Sequence, residues 1–190
     1  MPDISVSRLA SEVATLLGES LAPECHTEES PFPDLEDRVR ILAPGLLADL
    51  LKVSPPENLS ELSQMNSALT FDTNGDGLLQ LPEDFLFLVK LKLNTWKRSA
   101  THITQKTNPV ADLQGSSVAA IRGNSSRPVV MPDVNSAGKA CLRLIPAAKG
   151  SVIESAIYVA VPGIDASGTL KVPPGLYHPL LMALVKEITS

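Results

Sequence analysis

The sequence predicts an α+β protein, in which a helical part is built from both ends of the chain and the middle is rich in β-strands. Apolar residues recur at helical spacing near the ends, whereas short apolar runs separated by Gly, Pro, Asn and Ser fill the middle. The two patterns do not alternate, which argues against a parallel βαβ arrangement. We expect residues 1–70 with 174–190 to form the helical part and residues 71–173 the β-rich part, together making one structural unit.

Three segments near the ends have the apolar spacing of helices. Residues 4–17 form an amphipathic pattern, and residues 34–51 form a second one, which Pro44 is expected to kink or divide because proline removes an internal hydrogen bond. Residues 174–188 predict a closing helix whose prolines suit its start. A further short helix is expected over 60–69.

The middle of the chain contains short runs that are typical of strands. The run at 89–93, VKLKL, alternates apolar and charged residues, as a half-buried strand does. Asn135 to Gly138 has the composition of a hairpin turn. The strand-like runs are LLQL, FLFLVKLKL, AAIRG, RPVVM, ACLRLIPA and SAIYVAVP.

The composition argues against several classes of protein. With a formal net charge of -5 and 4% aromatic residues, the chain lacks the features of a broad nucleic-acid-binding face. No apolar stretch approaches the roughly 20 residues of a membrane span. Cys25 and Cys141 lie far apart in sequence, which favours a reduced chain.

The sharpest local motif, DTNGDGLLQLPE at residues 72–83, fits the calcium-loop pattern of EF-hand proteins. A hard cation needs such a dense cluster of oxygen atoms, and Gly77 would allow the sharp turn. The candidate calcium ligands are Asp72, Asn74, Asp76, Leu78 through its carbonyl oxygen, Gln80 and Glu83.

A β-hairpin competes with this calcium site. An EF-hand needs a helix after the loop, whereas the following segment, FLFLVKLKL, has the pattern of a strand, and the chain contains no second calcium loop. In the hairpin interpretation, Asn74-Gly75 or Asp76-Gly77 turns the chain. We favour the hairpin and therefore expect no cofactor and no high-affinity calcium site.

Three segments resemble sequences of phage head–tail adaptors. The segment GDGLLQLPEDFLFLVKLKL resembles a strand with a Gly-x-hydrophobic-x-Leu-Pro-x-Asp-hydrophobic signature. RGNSSRPVV, at 122–130, is similar to an Arg-Gly…Arg-Pro segment of virion proteins from gut-bacterial phages. The ending resembles a family pattern in which a strand, here IYVAVP, ends in proline before a C-terminal helix. The residues that match the first signature are Gly77, Leu79, Leu81, Pro82, Asp84 and Phe85.

The resemblance implies a structural virion protein, similar to the tail tubular proteins of short-tailed phages and the ring proteins of crAss-like phages. Such adaptors form rings of about twelve copies beneath the portal. The implied partners are other copies of the chain, the portal protein, and tail, ring or nozzle proteins, with DNA present only as the genome passing through the channel. The implied location is the neck or tail of the virion, after assembly in the host cytoplasm.

The sequence contains no pattern that predicts catalysis. It lacks a GxSxG elbow, a phosphate-binding loop and a GxGxxG motif, so we expect no enzymatic activity. Arg122 and Arg127 flank a polar GNSS loop, where they either bind carboxylates of a partner or remain solvated. Trp96 is either an anchor at a protein interface or a core residue at the end of a strand.

Overall fold

The chain is α+β, as predicted, and each of its described strand pairs is antiparallel. It divides into two compact units: Met1–Glu61 with Val161–Ser190, which we call the helical unit, and Leu62–Ala160, the β unit. The boundaries therefore fall at 61/62 and 160/161 instead of 70/71 and 173/174, while the expectation of one structural unit stays a prediction. The computed structural model describes residues 3–18, 34–55, 59, 62–72, 75–105, 107–114, 116, 118 and 121–190.

The order of the helices and strands agrees with the predicted division into a helical part at both ends and a β-rich middle. Helices occupy both ends, and seven of the nine described strands lie in the β unit. In chain order the elements are β1 (Asp3–Ser5), α1 (Val6–Leu16), α2 (Leu35–Val53), β2 (Ser63–Gln64), β3 (Leu69–Phe71), β4 (Gly77–Gln80), β5 (Phe85–Leu93), α3 (Pro109–Gln114), β6 (Val129–Val134), β7 (Ala140–Ile145), β8 (Ile153–Ala160), β9 (Thr169–Lys171), a 3-10 turn (Pro174–Leu176) and α4 (Tyr177–Thr189).

The helical unit is held together by the apolar faces of α1, α2 and α4, which pack against one another. Strand β1 pairs with β9, so that Ile4 lies opposite Leu170 and the start of α1 is tied to the segment before α4. Helices of this length are marginal alone in water, so their mutual burial stabilises them. The fully buried side chains on the three helices include Leu9, Val13, Val39, Leu47, Leu180 and Leu184.

Both predicted helices form, with differences in detail. Helix α1 begins at Val6, because residues 3–5 form a strand and the Ser5 hydroxyl caps the helix by accepting the Arg8 N–H at 3.2 Å. Helix α2 is a single helix that continues through Pro44, so the segment is not divided, while a kink there stays a prediction. The proline removes one hydrogen bond, but the apolar stripe runs across it, since Val39 and Leu47 are both fully buried.

The β unit contains a three-stranded sheet, in the order β2-β8-β5, and a four-stranded sheet, in the order β3-β4-β7-β6. Side chains from both sheets form one apolar core, as when two sheets pack face to face. On β5 the predicted alternation is confirmed, because Leu91 and Leu93 are fully buried whereas Lys90 is exposed. The buried residues of this core include Leu79, Leu142, Leu144, Leu88, Leu91, Leu93, Tyr158 and Trp96.

Two local predictions in this part of the chain were wrong. No helix forms over 62–69, the described part of the segment 60–69; strand β2 and the start of β3 lie there, and the buried Met65 donates its N–H to Ala156 O at 2.8 Å. The AAIRG run does not form a strand at its described residues, since Ile121 and Arg122 lie in a turn. The short helix α3 is not among the helices that the sequence predicted.

Candidate functional site

The calcium-like motif begins in a turn that occurs three times. In each copy, the first residue is Asp or Asn and its N–H donates to the carbonyl of the fifth residue, while a Gly at the fourth position donates back to the first carbonyl. The Gly φ values are 83°, 76° and 75°, where glycine alone is unstrained. The first side chain also accepts the N–H of the fifth residue, at 2.9 Å each time. The copies are 72–76 (DTNGD), 135–139 (NSAGK) and 165–169 (DASGT).

These bonds form a three-residue hairpin loop with a Gly bulge, a common connection between antiparallel strands. The first copy joins β3 to β4, with Phe71 opposite Gly77, and the second joins β6 to β7. The predicted hairpin is therefore confirmed, and its turn closes between Asp72 and Asp76 instead of at Asp76-Gly77. The Asp and Gly of the motif are accounted for by the turn, whether or not a cation binds there.

A cluster of ion pairs surrounds the first turn. Asp76 is only 4% exposed, and its carboxylate meets Arg122 Nη2 at 2.5 Å and Arg143 Nη1 at 3.5 Å. Arg143 also pairs with Asp133 at 2.7 Å and Asp72 at 3.4 Å. Partial burial opposes ionisation of Arg143, but the three carboxylates outweigh it and raise its pKa above the usual value. Each carboxylate of this cluster thus faces a guanidinium.

This cluster changes the interpretation of the candidate calcium ligands. Asp72 and Asp76 are paired with Arg143 and Arg122, which compensate much of their negative charge, although Arg143 also pairs with Asp133. The Leu78 carbonyl oxygen accepts a hydroxyl from the neighbouring strand β3 at 3.2 Å, and Glu83 lies exposed in the turn before β5. Asn74 lies outside the described residues. Within the described part of the chain, no group of three or more His, Cys, Asp or Glu is arranged to hold a metal ion.

Arg122 is positioned by the close packing of its neighbour, Gly123. A Cβ atom at Gly123 would lie 3.1 Å from both Ile145 O and Val129 Cγ2, so any larger residue would require these neighbours to move for the loop to approach β6 and β7 this closely. Asn124 then closes a tight turn, since its side-chain oxygen accepts the N–H of Arg127 at 3.0 Å. This packing places the Arg122 guanidinium against the 72–76 turn.

A cavity of about 540 Å³ adjoins the cluster. It presents two cationic side chains, Arg122 and Lys149, and none of the residues found to line it is acidic. Lys149 lies in a turn fixed by Ser151, whose hydroxyl oxygen accepts the Ala148 N–H at 3.1 Å. The cavity therefore offers positive charge beside a small apolar surface. Its lining residues are Gly75, Arg122, Gly123, Asn124, Ser125, Pro146, Ala147, Ala148 and Lys149.

The three residues proposed from sequence as partner contacts have different environments. Trp96 is 3% exposed, and its indole N–H donates to Pro146 O at 2.6 Å, so it is a core residue and not an exposed anchor. Arg122 lines the cavity, whereas Arg127 is exposed on the same loop and is not among the lining residues. Sequence reasoning missed Lys149, because nothing local distinguishes it from any other lysine in a turn.

A second contact joins distant segments of the β unit. The Tyr158 hydroxyl donates to Asp84 Oδ1 at 2.9 Å, and the Tyr158 ring stacks on Phe85 with centroids 5.7 Å apart. Burial, reinforced by the bond to Asp84, raises the pKa of Tyr158. This contact holds the turn between β4 and β5 against strand β8.

The fold and the site define an α+β protein whose β unit has a cationic cavity beside a cluster of ion pairs. No protein-family model matches the chain, and no curated protein matches it significantly. Among the residues that the structure describes, no helix has both the length and the apolar character needed to cross a membrane.

Proposed function

We propose that the protein is a non-enzymatic head–tail adaptor, which forms a ring between the portal and the tail of a tailed bacteriophage or prophage. One observation supports the proposal: within the β unit, the first two segments that resemble adaptor sequences contact each other, and the first also contacts the strand that opens the third. The Arg122–Asp76 pair links the Arg-Gly segment to the turn before Gly77, and the Asp84–Tyr158 bond links the Leu-Pro-x-Asp signature to the IYVAVP strand.

Several of the signature residues have packing roles in the β unit. A Cβ atom at Gly77 would lie 2.9 Å from Ala147 Cβ and 3.1 Å from Leu69 Cδ1, so a larger residue would require its neighbours to shift. Leu79 is fully buried, and Asp84 is bonded to Tyr158. The resemblance therefore concerns residues that hold the β unit together.

As an adaptor, the chain acts by binding neighbouring proteins of the virion. The proposed partners are other copies of the chain, the portal protein, and tail, ring or nozzle proteins, and the proposed location is the neck of the virion. In a ring, each copy contacts the next through two different surfaces, and the rotation between copies closes the assembly. No catalytic step and no cofactor is part of the proposal.

Imaging the neck of assembled particles tests this function. The purified protein is mixed with DNA-filled capsids that carry a portal, and the portal vertex is examined by electron cryomicroscopy, with portal-free capsids as the control. We expect a ring of density beneath the portal that is absent from the control. Density on the capsid exterior, or absence of the protein from purified virions, would contradict the proposal.

A further inference from the structure

We propose that the cavity beside Arg122 and Lys149 binds a carboxylate side chain presented by an acidic peptide segment of a partner protein. The inference goes beyond the adaptor function and does not depend on it, because it follows from the shape and charge of the cavity. Its volume of about 540 Å³ is within the usual range of ligand sites, about 300–1,000 Å³. It is large enough for one or two side chains of an extended peptide.

The charge of the lining selects an anion. Arg122 and Lys149 both face this space, and no acidic residue was found among the lining residues. A guanidinium has five N–H donors in a planar fork, and the bond to Asp76 engages Nη2. Donors therefore remain for a second carboxylate, which the fork can bind through two parallel hydrogen bonds.

The site is also partly organised before any ligand arrives. The bond to the buried Asp76 restricts the Arg122 side chain, so binding there loses less conformational entropy than it would with a mobile surface cation. The turn closed by Ser151 fixes the backbone at Lys149, whose side chain is exposed.

The remaining lining favours a peptide over a nucleic acid. Pro146, Ala147 and Ala148 provide a small apolar surface that suits the methylene groups of a glutamate and the backbone next to it. The net charge of -5 opposes the approach of a polyanion along a phosphate backbone. Because Asp76 already balances the charge of Arg122, the net positive charge of the lining comes from Lys149, which suits a single carboxylate and does not form an extended basic track.

Fluorescence anisotropy with matched peptides tests the proposal. The probe is a fluorescein-labelled eight-residue peptide with two adjacent glutamates, and its control carries two glutamines instead. We expect the acidic peptide to bind at least about tenfold more tightly than the amide control at low ionic strength, and added salt to reduce the difference. Equal affinity of the two peptides would overturn the proposal.

Two lysine variants locate the site. Lys149→Gln removes a cavity cation, whereas Lys139→Gln removes an exposed cation from the 135–139 turn, which is not among the lining residues. We expect the first variant to weaken binding of the acidic peptide about three- to tenfold and the second to change it by less than about twofold. Emission from Trp96, the only tryptophan, verifies that each variant is folded. Equal effects of both variants, or Lys149-dependent binding of a single-stranded oligonucleotide more tightly than the peptide, would contradict the proposal.

Discussion

The carboxylate of Asp76 and the guanidinium of Arg122 lie 46 positions apart in the chain, yet they meet at 2.5 Å. Asp76 is nearly buried, whereas about a third of the Arg122 side chain is exposed. The pair joins the first hairpin turn to the loop that lines the cavity. Asp76, which lies in a motif with the sequence of a calcium loop, is thus paired with Arg122. The same arginine is a candidate contact for an acidic partner.

Replacing Arg122 with Gln should destabilise the β unit. The change leaves Asp76 buried with Arg143 as its remaining cation, at 3.5 Å. Because Arg122 is partly solvated, we expect the free energy of unfolding to fall by about 1–3 kcal/mol, less than for a fully buried pair. Urea denaturation followed by Trp96 emission measures this free energy of unfolding. The exposed Arg127→Gln is the control and should change stability by less than about 0.5 kcal/mol; equal effects would show that the ion pair contributes nothing.

Calcium should not bind at residues 72–83 with the micromolar affinity of sensor loops. Asp72 and Asp76 would have to leave Arg143 and Arg122 before they could coordinate a cation, and the motif is followed by strand β5 instead of a helix. Calorimetric titration with calcium chloride should therefore give no saturable heat at dissociation constants of about 10⁻⁷–10⁻⁵ M. A one-site isotherm that disappears in Asp72→Ala would refute this expectation.

Two glycine-to-alanine changes should shift stability in opposite directions. At Gly77 the new methyl group would meet Ala147 Cβ at 2.9 Å, so we expect a loss of about 1–3 kcal/mol from overpacking. At Gly45, inside α2, no heavy atom lies within 4 Å of the new methyl group, and alanine should stabilise the helix by about 0.5–1 kcal/mol. Denaturant unfolding followed by circular dichroism compares them. Stabilisation by Gly77→Ala would show that the β3–β4 hairpin tolerates the added atom.

Asp165 should stay ionised in acid well below the pH at which an ordinary aspartate takes up a proton. Bonds from the Ser167 hydroxyl, the Thr169 N–H and the Thr169 hydroxyl strongly lower the pKa of Asp165. A carboxylate with a lowered folded-state pKa stabilises the fold above the unfolded-state value, 3.8, and that stabilisation is lost as the pH falls through the folded-state pKa. Carboxyl ¹³C NMR titration measures the pKa of Asp165, and the Thr169→Val change should raise this pKa. Titration at an ordinary aspartate pKa would contradict the turn geometry.

Several elements were predictable because their signals are local. The closing helix follows from apolar spacing over 174–188, and the hairpin after β3 follows from the turn residues near Gly75. Pro44 does not divide α2, since burial of the apolar stripe on both sides of the proline outweighs its local cost, and a kink there stays a prediction. The helix predicted over 60–69 was wrong at its described residues, because a backbone hydrogen bond to β8 decides the conformation of Met65.

The sequence by itself determined the α+β class and the order of its elements, because hydrophobic period and turn chemistry act between near neighbours in the chain. It also placed Arg122 among the candidate contacts, beside a polar loop. Only the tertiary structure decided that Arg122 meets Asp76, that Lys149 faces the same cavity and that Trp96 is buried. These outcomes depend on which strands pair and how closely Gly123 packs on Ile145. Such contacts join positions that are far apart in the chain, so no local sequence pattern predicts them.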